Sequence, residues 1–83
     1  MENAEIRVAL SDVSEGGKVK VVGFSNVGAG FTRRLQEMGV LPGETVNIVR
    51  NASYGPVEIR VKGSNLLIGR GIARKVIVEV IDE

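Results

Sequence analysis

The sequence predicts a mainly β protein: a small, strongly bent antiparallel sheet of five to six strands closing on itself as a barrel. One short α-helix is inserted after the first long strand, and a short helical turn precedes the last. Three observations carry this. The 43% of residues that are apolar are mostly Val, Ile and Leu, a β-branched excess that favours sheet. Turn signals recur every six to ten residues. Helical periodicity is confined to one stretch, Gly28 to Gly43.

Residues 1–5 are polar and are expected to fray. Residues 1–9 form an N-terminal extension before a single domain over 10–83. Ile6, Val8 and Leu10 alternate with Arg7 and Ala9, which suits an edge strand, with a disordered leader as the alternative. Ser11-Asp12-Val13-Ser14 reads as a helical turn capped by Ser11 and closed by Gly16-Gly17, one of which takes positive φ. Lys18 to Phe24 is the first long strand. Val19 and Val21 share one face and Val22 and Phe24 the other, so part of it is expected to be covered on both sides.

Ser25 or Asn26 then caps the helix. Phe31, Leu35 and Met38 fall at i, i+4 and i+7 and give it one apolar face, with Arg33, Arg34, Gln36 and Glu37 elsewhere. Gly39 is placed to end it in the left-handed conformation, folding Val40 back onto Leu35. Leu41-Pro42-Gly43-Glu44 follows as a type II turn, because proline fixes φ at the second position and glycine accepts φ > 0 at the third.

Thr45 to Arg50 is a strand with Val46 and Ile48 inward. Asn51 to Pro56 bends the chain back. Val57, Ile59 and Val61 alternate with charged residues in a half-buried strand. Lys62-Gly63-Ser64-Asn65 is a tight turn and Leu66 to Ile68 begins the next strand, which Gly69-Arg70-Gly71 breaks; these glycines are expected to bend a barrel strand. Ile72-Ala73-Arg74-Lys75 is read as one helical turn, and Val76, Val78 and Val80 alternate in the last strand. The order of elements favours an SH3-like barrel. An OB-fold is second, since its helix normally comes after the third strand.

Composition removes whole classes of chemistry. There is no cysteine and no histidine, hence no thiolate, no imidazole base and no 2-His-1-carboxylate iron site. No base-activated nucleophile stands out, so no enzyme, metal site or cofactor is expected. Net charge is only +1, far from the balance of a protein that binds nucleic acid by phosphate neutralisation. Phe24, Phe31 and Tyr54 are the whole aromatic set, too few for a proline-peptide groove or a base-stacking platform. No segment reaches the roughly 20 apolar residues of a membrane span, and a cytoplasmic protein is the expectation. Gly28-Ala29-Gly30 completes neither a Walker pattern nor GxGxxG, since Arg33 stands where the third glycine belongs. Arg70, Arg74 and Lys75 form a second basic group; beside Arg33-Arg34 it would make one cationic patch, and the alternative is two separate solvated faces.

With these residues laid out, the chain resembles the FeoA family, small cytoplasmic components of bacterial ferrous iron uptake, and the related C-terminal domain of DtxR-type repressors. The resemblance runs from about Leu10 to Ile81. It rests on Leu10-Ser11-Asp12-Val13 with its glycine turn and on Arg34-Leu35-Gln36-Glu37-Met38-Gly39-Val40-Leu41-Pro42-Gly43. Gly55-Pro56-Val57-Glu58-Ile59-Arg60-Val61 and Ala73-Arg74-Lys75-Val76-Ile77-Val78 add to it; Gly69-Arg70-Gly71 departs from it.

The resemblance implies an SH3-like barrel that acts by binding the cytosolic part of the FeoB membrane transporter, which has a G-protein domain. The docking face is expected on the helix, with Phe31, Arg33, Arg34, Gln36, Glu37 and Met38. A nucleic-acid-binding barrel using the basic doublets is the alternative, and retention on heparin at moderate salt separates the two. The edge at Ile6 to Leu10 can pair with another chain as readily as with its own sheet, so a homo-oligomer stays open.

Overall fold

The computed structural model describes residues 6–25 and 28–81. Six antiparallel strands, β1 (Arg7–Ala9), β2 (Lys18–Phe24), β3 (Thr45–Arg50), β4 (Val57–Val61), β5 (Ser64–Ile68) and β6 (Val76–Val80), form one sheet in the order β1-β6-β2-β3-β4-β5. Helix α1 (Ala29–Glu37) joins β2 to β3, and a single turn, α2 (Arg70–Ala73), joins β5 to β6. Among the described residues β1 and β5 are the edge strands. Both ends of the described chain therefore lie together, since β6 is hydrogen-bonded between β1 and β2.

Alternation builds the core. Val46 and Ile48 of β3, Val57, Ile59 and Val61 of β4, and Val76 and Val78 of β6 are all buried on the inner face. Leu10, Leu35, Val40 and Ala73, from the segments that connect the strands, complete it. Among the described residues the buried apolar set is wholly aliphatic; Phe24 only packs against it, and Tyr54 is 80% exposed.

β2 departs from the sequence reading. Val21 pairs with Val78, then Gly23 with Ile77 and Phe24 with Val76, so a bulge at Val22 inserts one residue. It shifts the alternation by one residue. Phe24 lies on the same face as Val21, toward the core, and not on the opposite face.

The helix end behaves as its residues require. Gly39 has φ +97°, its N–H donates to the Gln36 carbonyl at 3.0 Å, and the Val40 N–H donates to the Leu35 carbonyl at 2.9 Å. These are the two bonds of a Schellman closure, and Val40 and Leu35 are both buried beneath it. In the next turn the Glu44 N–H donates to the Leu41 carbonyl at 2.9 Å, with Gly43 at φ +95°. That turn is stitched to β2: the Val21 N–H donates to the Glu44 carbonyl and the Gly43 N–H to the Val21 carbonyl.

Four local expectations are corrected. Ser25 does not cap α1: the cap position is Gly28, without a side-chain bond, while the Ser25 N–H donates to the Lys75 carbonyl. Asn26 lies outside the described residues. Ser11 caps nothing either, because the turn over Leu10–Asp12 is a 3-10 turn that begins after Ala9 and buries Ser11. The β4–β5 turn is shorter than expected: Val61 pairs with Ser64, leaving a two-residue loop of Lys62 (φ +53°) and Gly63 (φ +81°). Both positive φ values define a type I′ hairpin, whose twist suits the flanking strands. Finally, Gly69 and Gly71 bend no strand. Gly69 caps α2 and Gly71 lies within it, so this helical turn starts two residues earlier than Ile72.

Candidate functional site

Helix α1 buries only Leu35. One turn to either side, Phe31 is 50% and Met38 37% exposed. Opposite them lie Leu67 and Ile68 of β5 and Ile72 of α2, and the space between is an apolar groove of about 110 Å³. Arg34 lines the same groove. Leu67 is 68% exposed on its far bank. Singly exposed apolar side chains are ordinary on a protein surface; three around one concavity, with a guanidinium beside them, have the composition of a protein contact site.

Of the helix residues expected at a docking face, the fold brings Phe31, Arg34 and Met38 to the groove. Arg33, Gln36 and Glu37 are exposed but do not line it. Sequence reasoning missed Leu67 and Ile72. A signal for Leu67 was present: Leu66-Leu67-Ile68 are consecutive in one strand, so alternation must turn one of them outward.

The second basic group divides. Arg70 reaches the β3–β4 loop, where its Nε donates to the Gly55 carbonyl at 2.9 Å and its Nη2 to Asn51 Oδ1 at 2.8 Å and to the Ala52 carbonyl. Asn51 in turn donates through Nδ2 to the carbonyls of Ser11 (2.9 Å) and Val13 (2.7 Å). Arg70 is thus part of a clamp joining α2, the β3–β4 loop and the 3-10 turn. Arg74 is exposed and Lys75 half-buried.

Among the described residues no group of three or more Asp and Glu stands close enough to hold a metal ion. No described helix is long and apolar enough to cross a membrane.

The family model described as FeoA domain matches residues 8–80. The "Putative Fe(2+) transport protein A" of Methanocaldococcus jannaschii is 43% identical over 70 residues, covering 84% of this chain and 83% of that protein.

The chain belongs to the FeoA family.

The crystal structure of an iron uptake regulatory protein, FeoA, superposes with a TM-score of 0.82 at 32% identity, covering 92% of this chain and 99% of that one. FeoA of Stenotrophomonas maltophilia, solved with zinc and described as a procaryotic SH3 domain protein, gives a TM-score of 0.75 at 24% identity over 86% of this chain and 88% of its own. At that identity the likeness is one of fold. It places this FeoA chain among the SH3-like members, with its helix between the strands here named β2 and β3.

Proposed function

We propose that this chain is an accessory protein of ferrous iron uptake that acts by binding the cytosolic part of a FeoB-type membrane transporter through α1 and its groove. One observation carries the reading: Phe31, Met38 and Leu67 stay exposed around a single concavity beside Arg34. Burying them against a partner removes apolar surface from water at roughly 25 cal/mol per Å². The name of the Methanocaldococcus jannaschii relative supports the iron-transport setting. Action by binding agrees with a chain that has neither cysteine nor histidine to offer for chemistry.

The test is an NMR titration of labelled protein with the transporter's soluble G-protein domain. Shifts are expected over residues 29–43 and at Leu67 and Ile72. Charge reversal at Arg34 (Arg34→Glu) is expected to weaken binding by about tenfold, and Arg33→Glu, on the adjoining exposed face, by less. Unchanged affinity in Arg34→Glu overturns this choice of surface, and absence of any shift overturns the partner.

A further inference from the structure

The groove runs beside a free sheet edge, and the hairpin register fixes which backbone groups that edge presents. Val61 and Ser64 flank the two-residue type I′ loop and are therefore a hydrogen-bonded pair. Pairs alternate along an antiparallel ladder, so Leu66 opposite Ile59 and Ile68 opposite Val57 also bond to β4. Asn65 and Leu67, opposite Arg60 and Glu58, occupy the non-bonded positions. Their N–H and C=O groups point away from β4. Among the described residues no strand lies beyond β5, and no loop or turn bond takes up these four groups.

We propose that the β5 edge receives an extended segment of the partner as a seventh strand, paired to the backbone of Asn65 and Leu67. It seats an apolar side chain in the groove between Phe31, Met38 and Ile72 and brings a carboxylate to Arg34. This deepens the transporter-binding reading and rests on it. The unpaired backbone groups call for a strand, since a helix lying in the groove satisfies its own backbone and leaves these open. The guanidinium selects the charge: Arg34 is the cation that lines the groove, and it makes no ion pair among the described residues. A second copy of β5 fits less well. Its sequence, Ser64-Asn65-Leu66-Leu67-Ile68, is apolar enough but carries no carboxylate for Arg34.

Amide hydrogen exchange, read by NMR with and without the transporter's G-protein domain, tests the pairing directly. The Asn65 and Leu67 amides are expected to slow by about tenfold or more in the complex. Leu67→Pro removes one outward N–H at an edge position where proline is tolerated, and Leu67→Ala removes the side chain alone. If a strand is added, the proline variant loses about fivefold to tenfold more affinity than the alanine variant. A well-dispersed spectrum checks that each variant folds; if the proline variant does not, the exchange data decide.

Binding with both amides unprotected, and equal losses in the two variants, overturns strand addition and leaves the docking reading standing. No binding at all overturns both. Protection that appears in the protein alone as its own concentration rises assigns the edge to a second copy, and overturns the proposal.

Discussion

Asn51 illustrates how much one side chain settles in this domain. Its carboxamide gives two donors to the Ser11 and Val13 carbonyls and one acceptor to Arg70. Its own backbone N–H donates to Glu15 Oε2 at 2.9 Å. Alanine there strands two carbonyls and loosens Arg70 in a part-buried setting, so Asn51→Ala is expected to cost about 1–3 kcal/mol. Thermal melting checks it: at the roughly 4–8 °C per kcal/mol of a domain this size, the midpoint falls by several degrees or more. A shift within about 1 °C would show the clamp to be dispensable. The sequence marks Asn51 only as a turn former and Arg70 only as a surface cation. Their real partners lie 15 to 40 residues away, and nothing local says which distant carbonyls need donors. Gly39 is the opposite case. Its partners, Leu35, Gln36 and Val40, lie within a few residues, and the closure is written in one short stretch.

At the scale of elements, the strands with strict alternation were legible and the irregular one was not. β4 reads as a half-buried strand because Val57, Ile59 and Val61 are inward and charges separate them. β2 contains the same apolar types, but the bulge at Val22 shifts the phase midway, and alternation alone cannot tell a bulge from a strand covered on both faces. The helix face was legible for a similar reason; the groove beside it was not, because its far bank comes from β5 and α2. The β4–β5 hairpin carries its own prediction. Lys62 sits at φ +53°, where asparagine is better tolerated than lysine. The Lys62–Glu44 ion pair, 3.3 Å across and partly exposed, offsets little. Lys62→Asn is therefore expected to stabilise the domain by about 0.5 kcal/mol in urea unfolding. A net loss of stability would mean that the ion pair outweighs the backbone strain.

For the whole molecule, the class was legible because every turn and every alternating run pointed to one small bent sheet. The order of its strands was less so. Periodicity places residues on faces and does not say which strands are neighbours. That order has a kinetic consequence. β3, β4 and β5 are joined by short connections and can zip together locally, whereas β6 must find both β1 and β2, and the Arg7–Glu79 contact spans 72 residues. Bringing such distant segments together has an entropic cost before any contact repays it. Folding is thus expected to nucleate in the meander: Ile59→Val should mainly slow refolding, and Val78→Ala mainly speed unfolding, in stopped-flow chevrons. The reverse pattern would place the nucleus at the β1–β6–β2 junction. On the expected route the two ends of the described chain meet last, so the sheet stays open until β1, β6 and β2 come together.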